Sequence, residues 1–328
     1  MHHLPNQEPN LPHESEFSLP QPKMDAIRAA YHVYLMDPIN NDELNFELLY
    51  PQISDIPALL NQIDDLKRCL DSFRPLSPSQ AKNLETAFET EFTYDSNRIE
   101  GNTLTLQETA LILEKGITVT GKSLREHLEV VNHKEALDFI KELITGNRGF
   151  NELSLLEIHK LVLQGIDRSN AGLYRRERVF ITGSRHVPPN PLKVPNLMQE
   201  YFDYYHQQKA RLHPSLLAAD MSEKLVTIHP FVDGNGRTCR LVMNFLLMRE
   251  GYPITNISGE RKNRSAYYDA LQAVQLQQHT DAFRIFALQQ IKSAFFRYLN
   301  AVSVSLHPEE QHKGGYFFKT IAPLLALD

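Results

Sequence analysis

His229-Pro230-Phe231-Val232-Asp233-Gly234-Asn235-Gly236-Arg237-Thr238-Cys239-Arg240 runs without a break into Leu241-Val242-Met243-Asn244-Phe245-Leu246-Leu247-Met248. Pro230 biases the residue before it away from helix, so the helix carrying Leu225, Val226 and Ile228 ends near His229 and presents its imidazole at a turn. Gly234, Asn235 and Gly236 tolerate positive φ or close backbone approach, and they feed directly into a helix whose first N–H groups attract anions. Arg237, Arg240 and Asn244 share one face of that helix, while Leu241, Phe245 and Met248 supply the core. Asp233 is a hard oxygen ligand suited to Mg2+, an ion that keeps several waters and takes few protein groups. A base titrating near working pH, an anion cradle, two guanidinium groups and a metal carboxylate fit a nucleoside triphosphate. An ordinary turn before a capped helix explains only the glycines.

On the N-terminal side, Thr105 with Glu108, Ser123 with Glu126 and Ser154 with Glu157 each have the reciprocal capping pattern that opens a helix. Apolar residues recur at helical spacing from Lys23 onward, with Pro51, Pro57, Pro75 and Pro78 read as kinks and turns. Residues 178–189 break the pattern: Val179, Phe180, Ile181 and Thr182 lead through Gly183 and Ser184 to His186 and Val187, which predicts a β-hairpin closed by Pro188 and Pro189. The predicted fold is all-α with one small β-hairpin flap. The expected organisation is a loosely ordered N-terminal arm over 1–22, with five prolines, and a helical region over 23–91. A core over 92–298 and a tail over 299–328 follow.

The chain has 328 residues, and its 34 basic against 40 acidic side chains leave a net charge of −6. That balance argues against general attraction to nucleic acid or to an anionic membrane. No basic region followed by an apolar stretch opens the chain, and no run reaches the roughly 18 apolar residues that span a bilayer. The expected compartment is therefore the cytoplasm, with Cys69 and Cys239 as reduced thiols. Gly116 and Gly121-Lys122-Ser123 satisfy the spacing of a phosphate-binding P-loop, but that loop follows a buried strand, and here the helix opened by Thr105 precedes it. His159 and His213 lack metal-ligand spacing with cysteine and read as structural or surface residues.

The stretch from His229 to Arg240 resembles the signature of the Fic family: His-Pro-Phe, two residues, Gly-Asn-Gly-Arg, two residues, Arg. The resemblance implies a Fic-type helical fold and a protein adenylyltransferase that transfers AMP from ATP to a Tyr, Ser or Thr hydroxyl of a target protein. By the same resemblance His229 is the base, Asp233 the Mg2+ ligand, and Gly234 to Gly236 the anion hole. Arg237 and Arg240 grip the outer phosphates, and Phe231 anchors the loop. The flap residues Val179, Phe180, Ile181, Thr182 and Val187 would pair with an extended segment of the target. Tyr267 and Tyr268 occupy positions where the family often has tyrosines near the base pocket, with interior packing as the other reading. Self-association to a homodimer is also implied.

Ser96, three residues, Glu100 and Gly101 are similar to the family's inhibitory motif. Gly101 looks like a helix C-cap, which leaves Glu100 in a last turn where the helix dipole disfavours a carboxylate. The resemblance assigns Arg240 as its cationic partner. Three alternatives stand beside AMP transfer: removal of AMP with Glu100 orienting a water, transfer from a different nucleotide or phosphate donor, and a non-enzymatic regulatory module associated with transcription. The short stretch after residue 298 and the acidic balance disfavour the last.

Overall fold

The structure, a computed structural model, describes residues 54–72 and 78–304. The expected arm over 1–22, residues 23–53 with Pro51, Pro75, and the tail from 305 onward lie outside the described residues.

Every regular element among the described residues is helical. In chain order these are α1 (Ile56–Ser72), α2 (Pro78–Ile99), α3 (Leu106–Lys115), α4 (Leu124–Thr145) and α5 (Glu152–Val162). A short 3-10 turn at Pro191–Lys193 leads into α6 (Val194–Gln208), α7 (Pro214–Ile228), α8 (Asn235–Arg249), α9 (Arg261–Gln277) and α10 (Asp281–Val304). Pro57 and Pro78 lie in the first turns of α1 and α2, so they start helices rather than kink them, as the missing N–H of proline allows at those positions.

Both Thr105/Glu108 and Ser123/Glu126 form complete capping boxes. The third expected box is displaced by one turn. Asn151 is the N-cap of α5, and Ser154 is its third helical residue, reciprocating with its hydroxyl (Asn151 N–H to Ser154 Oγ, 2.9 Å). An asparagine three residues upstream is an equally strong N-cap and wins because it adds a turn to the helix.

The expected hairpin does not form. Residues 178–181 and 184–190 have no regular secondary structure on either side of a turn at Thr182–Gly183, closed by Ser184 N–H to Ile181 O at 3.1 Å, and no strand is formed among the described residues. The loop is held instead by side chains: His186 Nε2 donates to Thr227 O at 2.9 Å, and Arg175 donates to Pro189 O at 2.6 Å. His186 N–H is taken by Ser184 Oγ at 3.1 Å, Pro189 O by Arg175, and Pro188 and Pro189 have no N–H, so these backbone groups are not free for a cross-strand ladder.

The chain divides into two compact units. One comprises Asp55–Leu60 and Glu85–Ala294, and the described residues of the other are 54, 61–72, 78–84 and 295–304. In the larger unit α8 is buried on all sides. Leu241, Val242, Met243, Phe245 and Leu247 have no exposed surface, and Arg237, Arg240 and Asn244 are as deeply enclosed. The helix therefore has no solvated face, and its polar stripe lies inside the protein. Helices α7, α4 and α5 pack around it. Phe150 stacks edge-on against Tyr205 at 5.3 Å and Phe245 at 5.9 Å behind its C-terminal half. This rigid seating sets where the N-terminus of α8 points.

Candidate active site

The loop between α7 and α8 starts with His229 in the left-handed region (φ 52°, ψ 58°), a conformation uncommon for a residue with a Cβ. Its N–H still bonds Leu225 O at 3.0 Å, which ends α7 where Pro230 predicts. His229 Nδ1 donates to Val226 O at 3.2 Å, so the proton sits on Nδ1 and Nε2 keeps its lone pair. Burial, reinforced by the charge of Arg175, outweighs that carbonyl contact and lowers the pKa of His229 to about 4. The imidazole is thus a neutral base at neutral pH, not a group titrating near it.

Four residues hold this loop. Phe231 is wholly buried and stacks face to face on His159 at 3.6 Å. His159 Nε2 donates to Asp233 O at 2.9 Å while Nδ1 accepts from Gly172 N–H at 3.0 Å, which specifies one neutral tautomer. Burial lowers its pKa to about 4. Asn235 turns its whole amide back on Phe231, donating to its O at 2.9 Å and accepting from its N–H at 3.0 Å. Buried Arg175 donates to the carbonyls of His229 at 2.7 Å, Glu177 at 3.0 Å and Pro189 at 2.6 Å, and so ties the base to both ends of the 178–189 loop.

At the inner end of the α8 N-terminus, Glu100 Oε1 accepts from Arg240 Nη2 at 2.8 Å. Arg240 also donates from Nε to Ser96 Oγ at 3.0 Å and from Nη2 to Ser96 O at 2.7 Å. Its Nη1 has no hydrogen-bond partner. A Cβ on Gly236 would collide with the Glu100 carboxylate and come within 3.1 Å of Arg240 Nη1. A carboxylate therefore already lies in the cradle that the glycine opens, beside an unpaired buried N–H. Burial works against the charge of Arg240, but Glu100, together with Tyr267 and Cys239, more than offsets it and its pKa is raised. Gly101 (φ 98°) follows α2 as expected, with Glu100 one residue past the last helical position.

At the outer end, Asp233 Oδ1 accepts from Gly234 N–H at 2.6 Å and lies 3.4 Å from Arg237 Nη2. Its Oδ2 accepts from Arg125 Nη2 at 2.6 Å. Glu129 closes a ring: its Oε1 is 3.2 Å from Arg125 Nε and 3.4 Å from Arg237 Nη1, while Oε2 accepts from Asn102 Nδ2 at 2.9 Å. Burial pushes the Asp233 carboxyl up, yet Arg237, the Gly234 amide and Arg125 together hold it below the ordinary range. Arg237 is 2% exposed, and its Nε and Nη1 have no hydrogen-bond partner. One ionised carboxylate at the mouth of an anion cradle fits Mg2+ carried by phosphates, which supply its other ligands with water.

Two expected contacts are not available to a ligand. Asn244 spends both amide hydrogens on Arg240 O (3.1 Å) and Thr255 O (3.0 Å), and its oxygen accepts from Thr255 N–H at 2.7 Å. It braces the segment after α8 instead of meeting phosphate. Tyr267 is 1% exposed beneath Arg240, whose guanidinium lies 5.9 Å from its ring. Tyr268 is 42% exposed and donates to Ile99 O at 3.3 Å, beside Glu100. Cys239 is a buried free thiol donating to Gly236 O at 3.0 Å. Lys122 donates to Thr103 O at 2.6 Å, as a loop brace and not a P-loop lysine. Of the flap residues, Phe180 and Val187 are 81% and 69% exposed; Val179 and Ile181 are half-buried and Thr182 is exposed.

Arg125, Glu129, His159 and Arg175 are the site residues that spacing alone does not reveal. Their partners lie 54 to 108 positions away in the cases of Arg175–His229, His159–Asp233 and Arg125–Asp233. A histidine within the apolar α5 and an arginine just before the 178–189 loop are the available hints.

Fold and site together define a helical domain with a buried histidine and a glycine turn at one buried helix terminus. Comparison with known proteins agrees. The profile described as Fic/DOC family matches residues 149–247. A Fic domain containing signaling protein from Bacteroides thetaiotaomicron superposes with a TM-score of 0.66 at 30% identity, covering 74% of this chain and 97% of that one. Fic-1 from C. elegans gives 0.69 at 28% identity, covering 87% and 83%. The chain belongs to the Fic/DOC family. It is also 36% identical over 256 residues to a protein named Protein adenylyltransferase Fic from Aedes aegypti, across 76% of this chain and 50% of that one. The chain thus spans about half the length of that relative. No described helix is long and apolar enough to cross a membrane.

Proposed function

We propose that this chain is a protein adenylyltransferase that moves AMP from ATP to a Tyr, Ser or Thr hydroxyl of a target protein, and that Glu100 restrains it. One observation carries the reading: the Glu100 carboxylate lies against Gly236 and pairs with Arg240 at 2.8 Å, so the α8 cradle holds an anion of the chain's own where a phosphate would bind. The names of the relatives support the same activity.

The target oxygen attacks the α-phosphorus as the bond to the β-phosphate oxygen breaks, and pyrophosphate leaves. His229 Nε2 takes the hydroxyl proton. Its orientation is fixed by Val226 O on Nδ1 and by Arg175 on its own carbonyl. Arg237 and the α8 N-terminus oppose charge on the phosphoryl oxygens, in a setting whose dipoles need no rearrangement. Arg240 joins them only after Glu100 leaves it. Mg2+, held by Asp233, would supply further charge compensation on the phosphates. The exposed Phe180 and Val187 offer apolar contacts to the target.

The test is transfer of label from α-labelled ATP with Mg2+, to the chain itself or to added protein, with AMP release followed alongside. Glu100→Gly is expected to raise labelling by about 5- to 150-fold, the range of a typical coupling between sites. Adding His229→Ala should lower it again by about 10²- to 10⁴-fold. Equal, negligible labelling in all three chains with ATP demonstrably bound would sink the proposal. The mass of the labelled product discriminates AMP from another transferred group.

A further inference from the structure

The two oxygens of Asp233 are engaged unequally. Oδ1 is held by the Gly234 N–H at 2.6 Å, in a turn whose left-handed φ of 79° seats it against His159 and Val162. Oδ2 is held by Arg125 Nη2, also at 2.6 Å, but through a long side chain that is 59% exposed. Arg125 is the second residue of α4, where the positive end of the helix dipole disfavours a cation. It is kept there by Asp233 and by Glu129, one turn along the same helix. A cation that reaches Asp233 can displace a solvated guanidinium far more readily than a backbone amide inside a buried turn.

We propose that Arg125 is the displaceable occupant of the cation position at Asp233 Oδ2, and that a divalent ion arriving with nucleotide phosphates takes this oxygen from it. The ring explains why displacement is tolerable. Arg125 keeps Glu129 as a partner at 3.2 Å after it leaves Asp233, and Arg237, also paired to Glu129, stays in place for phosphate. Arg125 thereby sets the metal affinity of the site. It forms an outer restraint with no residue in common with the Glu100–Arg240 pair. This inference rests on the nucleotide–metal reading above.

The experiment measures binding of Mn2+ together with a non-hydrolysable ATP analogue, by loss of the free Mn2+ electron-spin signal. The full chain carries Glu100→Gly, with or without Arg125→Gln, Arg125→Lys or Arg264→Gln. Arg264 is an exposed cation of α9 whose charge bears on Tyr268, and its substitution controls for charge alone. Arg125→Gln is expected to tighten Mn2+ binding about two- to five-fold, the strength of an exposed ion pair, with Arg125→Lys in between and Arg264→Gln unchanged. Equal effects of Arg125→Gln and Arg264→Gln, or weaker binding in Arg125→Gln, would overturn the proposal. No Mn2+-dependent binding in the Glu100→Gly parent would instead overturn the underlying nucleotide–metal reading, and Arg125's role with it.

Discussion

The two ends of the α8 cradle are each closed by an arginine–carboxylate pair, but in opposite surroundings. At the inner end Arg240 is 1% exposed, carries three hydrogen bonds and faces a half-exposed Glu100. At the outer end Arg125 is 59% exposed and Asp233 42% exposed. A buried guanidinium cannot recover its hydration when its partner leaves, whereas an exposed one can. Separating the inner pair therefore costs more than separating the outer one, and in the proposed reading the inner pair needs a compensating ligand or signal while the outer pair exchanges with the incoming ion.

The framework behind both pairs gives the largest expected effect. His133, His159 and His229 are all depressed by burial, the latter two to about 4. An unfolded imidazole takes up its proton near 6.5, while these folded ones do not, so between about pH 6.5 and 4 the unfolded chain binds more protons and stability falls as pH falls. His159 alone accounts for roughly 3 kcal/mol across that window. Urea unfolding should show a shallower pH slope in His159→Phe than in the native chain. Equal slopes would mean that His159 is not held neutral and that the loop behind both pairs is looser than its hydrogen bonds indicate.

Asn244 sharpens the contrast from the inner side. Asn244→Ala strands Thr255 N–H and Thr255 O in the buried core, whereas Arg240 O keeps its intrahelical partner, and should cost about 2–3 kcal/mol. Because the amide faces no ligand, ATP-analogue affinity in a Glu100→Gly background should stay unchanged, as calorimetry can measure. A weakened affinity at intact stability would return Asn244 to the phosphate site.

The smallest effects compare the pairs directly. Glu100→Gln should destabilise the fold by about 1–2 kcal/mol, discounted for its partial exposure, and Arg125→Gln by less than about 0.5 kcal/mol. Thermal unfolding of the two variants side by side reads the difference. Equal losses would erase the distinction between a buried and an exposed pair.

Much of the site is legible in residues 229–240, because a proline-ended helix, a glycine turn and an arginine spacing of three are local features. The helix starts at Thr105 and Ser123 are local too. The start of α5 shows the limit: Asn151 and Ser154 both satisfy local capping rules, and only the packed helix selects between them. The 178–189 loop marks another. Its alternation is that of a strand, but a strand needs a ladder partner, and His186 and Arg175 bind the loop to α7 and to the His229 turn instead. Asn244 sits on the arginine face by spacing, yet Thr255, eleven residues on, claims its amide.

The sequence by itself determined a helical protein with a histidine, a glycine turn and two arginines at one helix start. Those features depend on contacts within about one helical turn. Tertiary structure alone decided that the polar stripe is buried, that His229 is neutral, and that Arg125, Glu129, His159 and Arg175 belong to the site. It also brings Glu100 onto Arg240 across 140 positions, a pairing that family resemblance suggested but no local rule requires. Burial and long-range pairing arise only when distant segments exclude water together, and no short window of sequence carries that information.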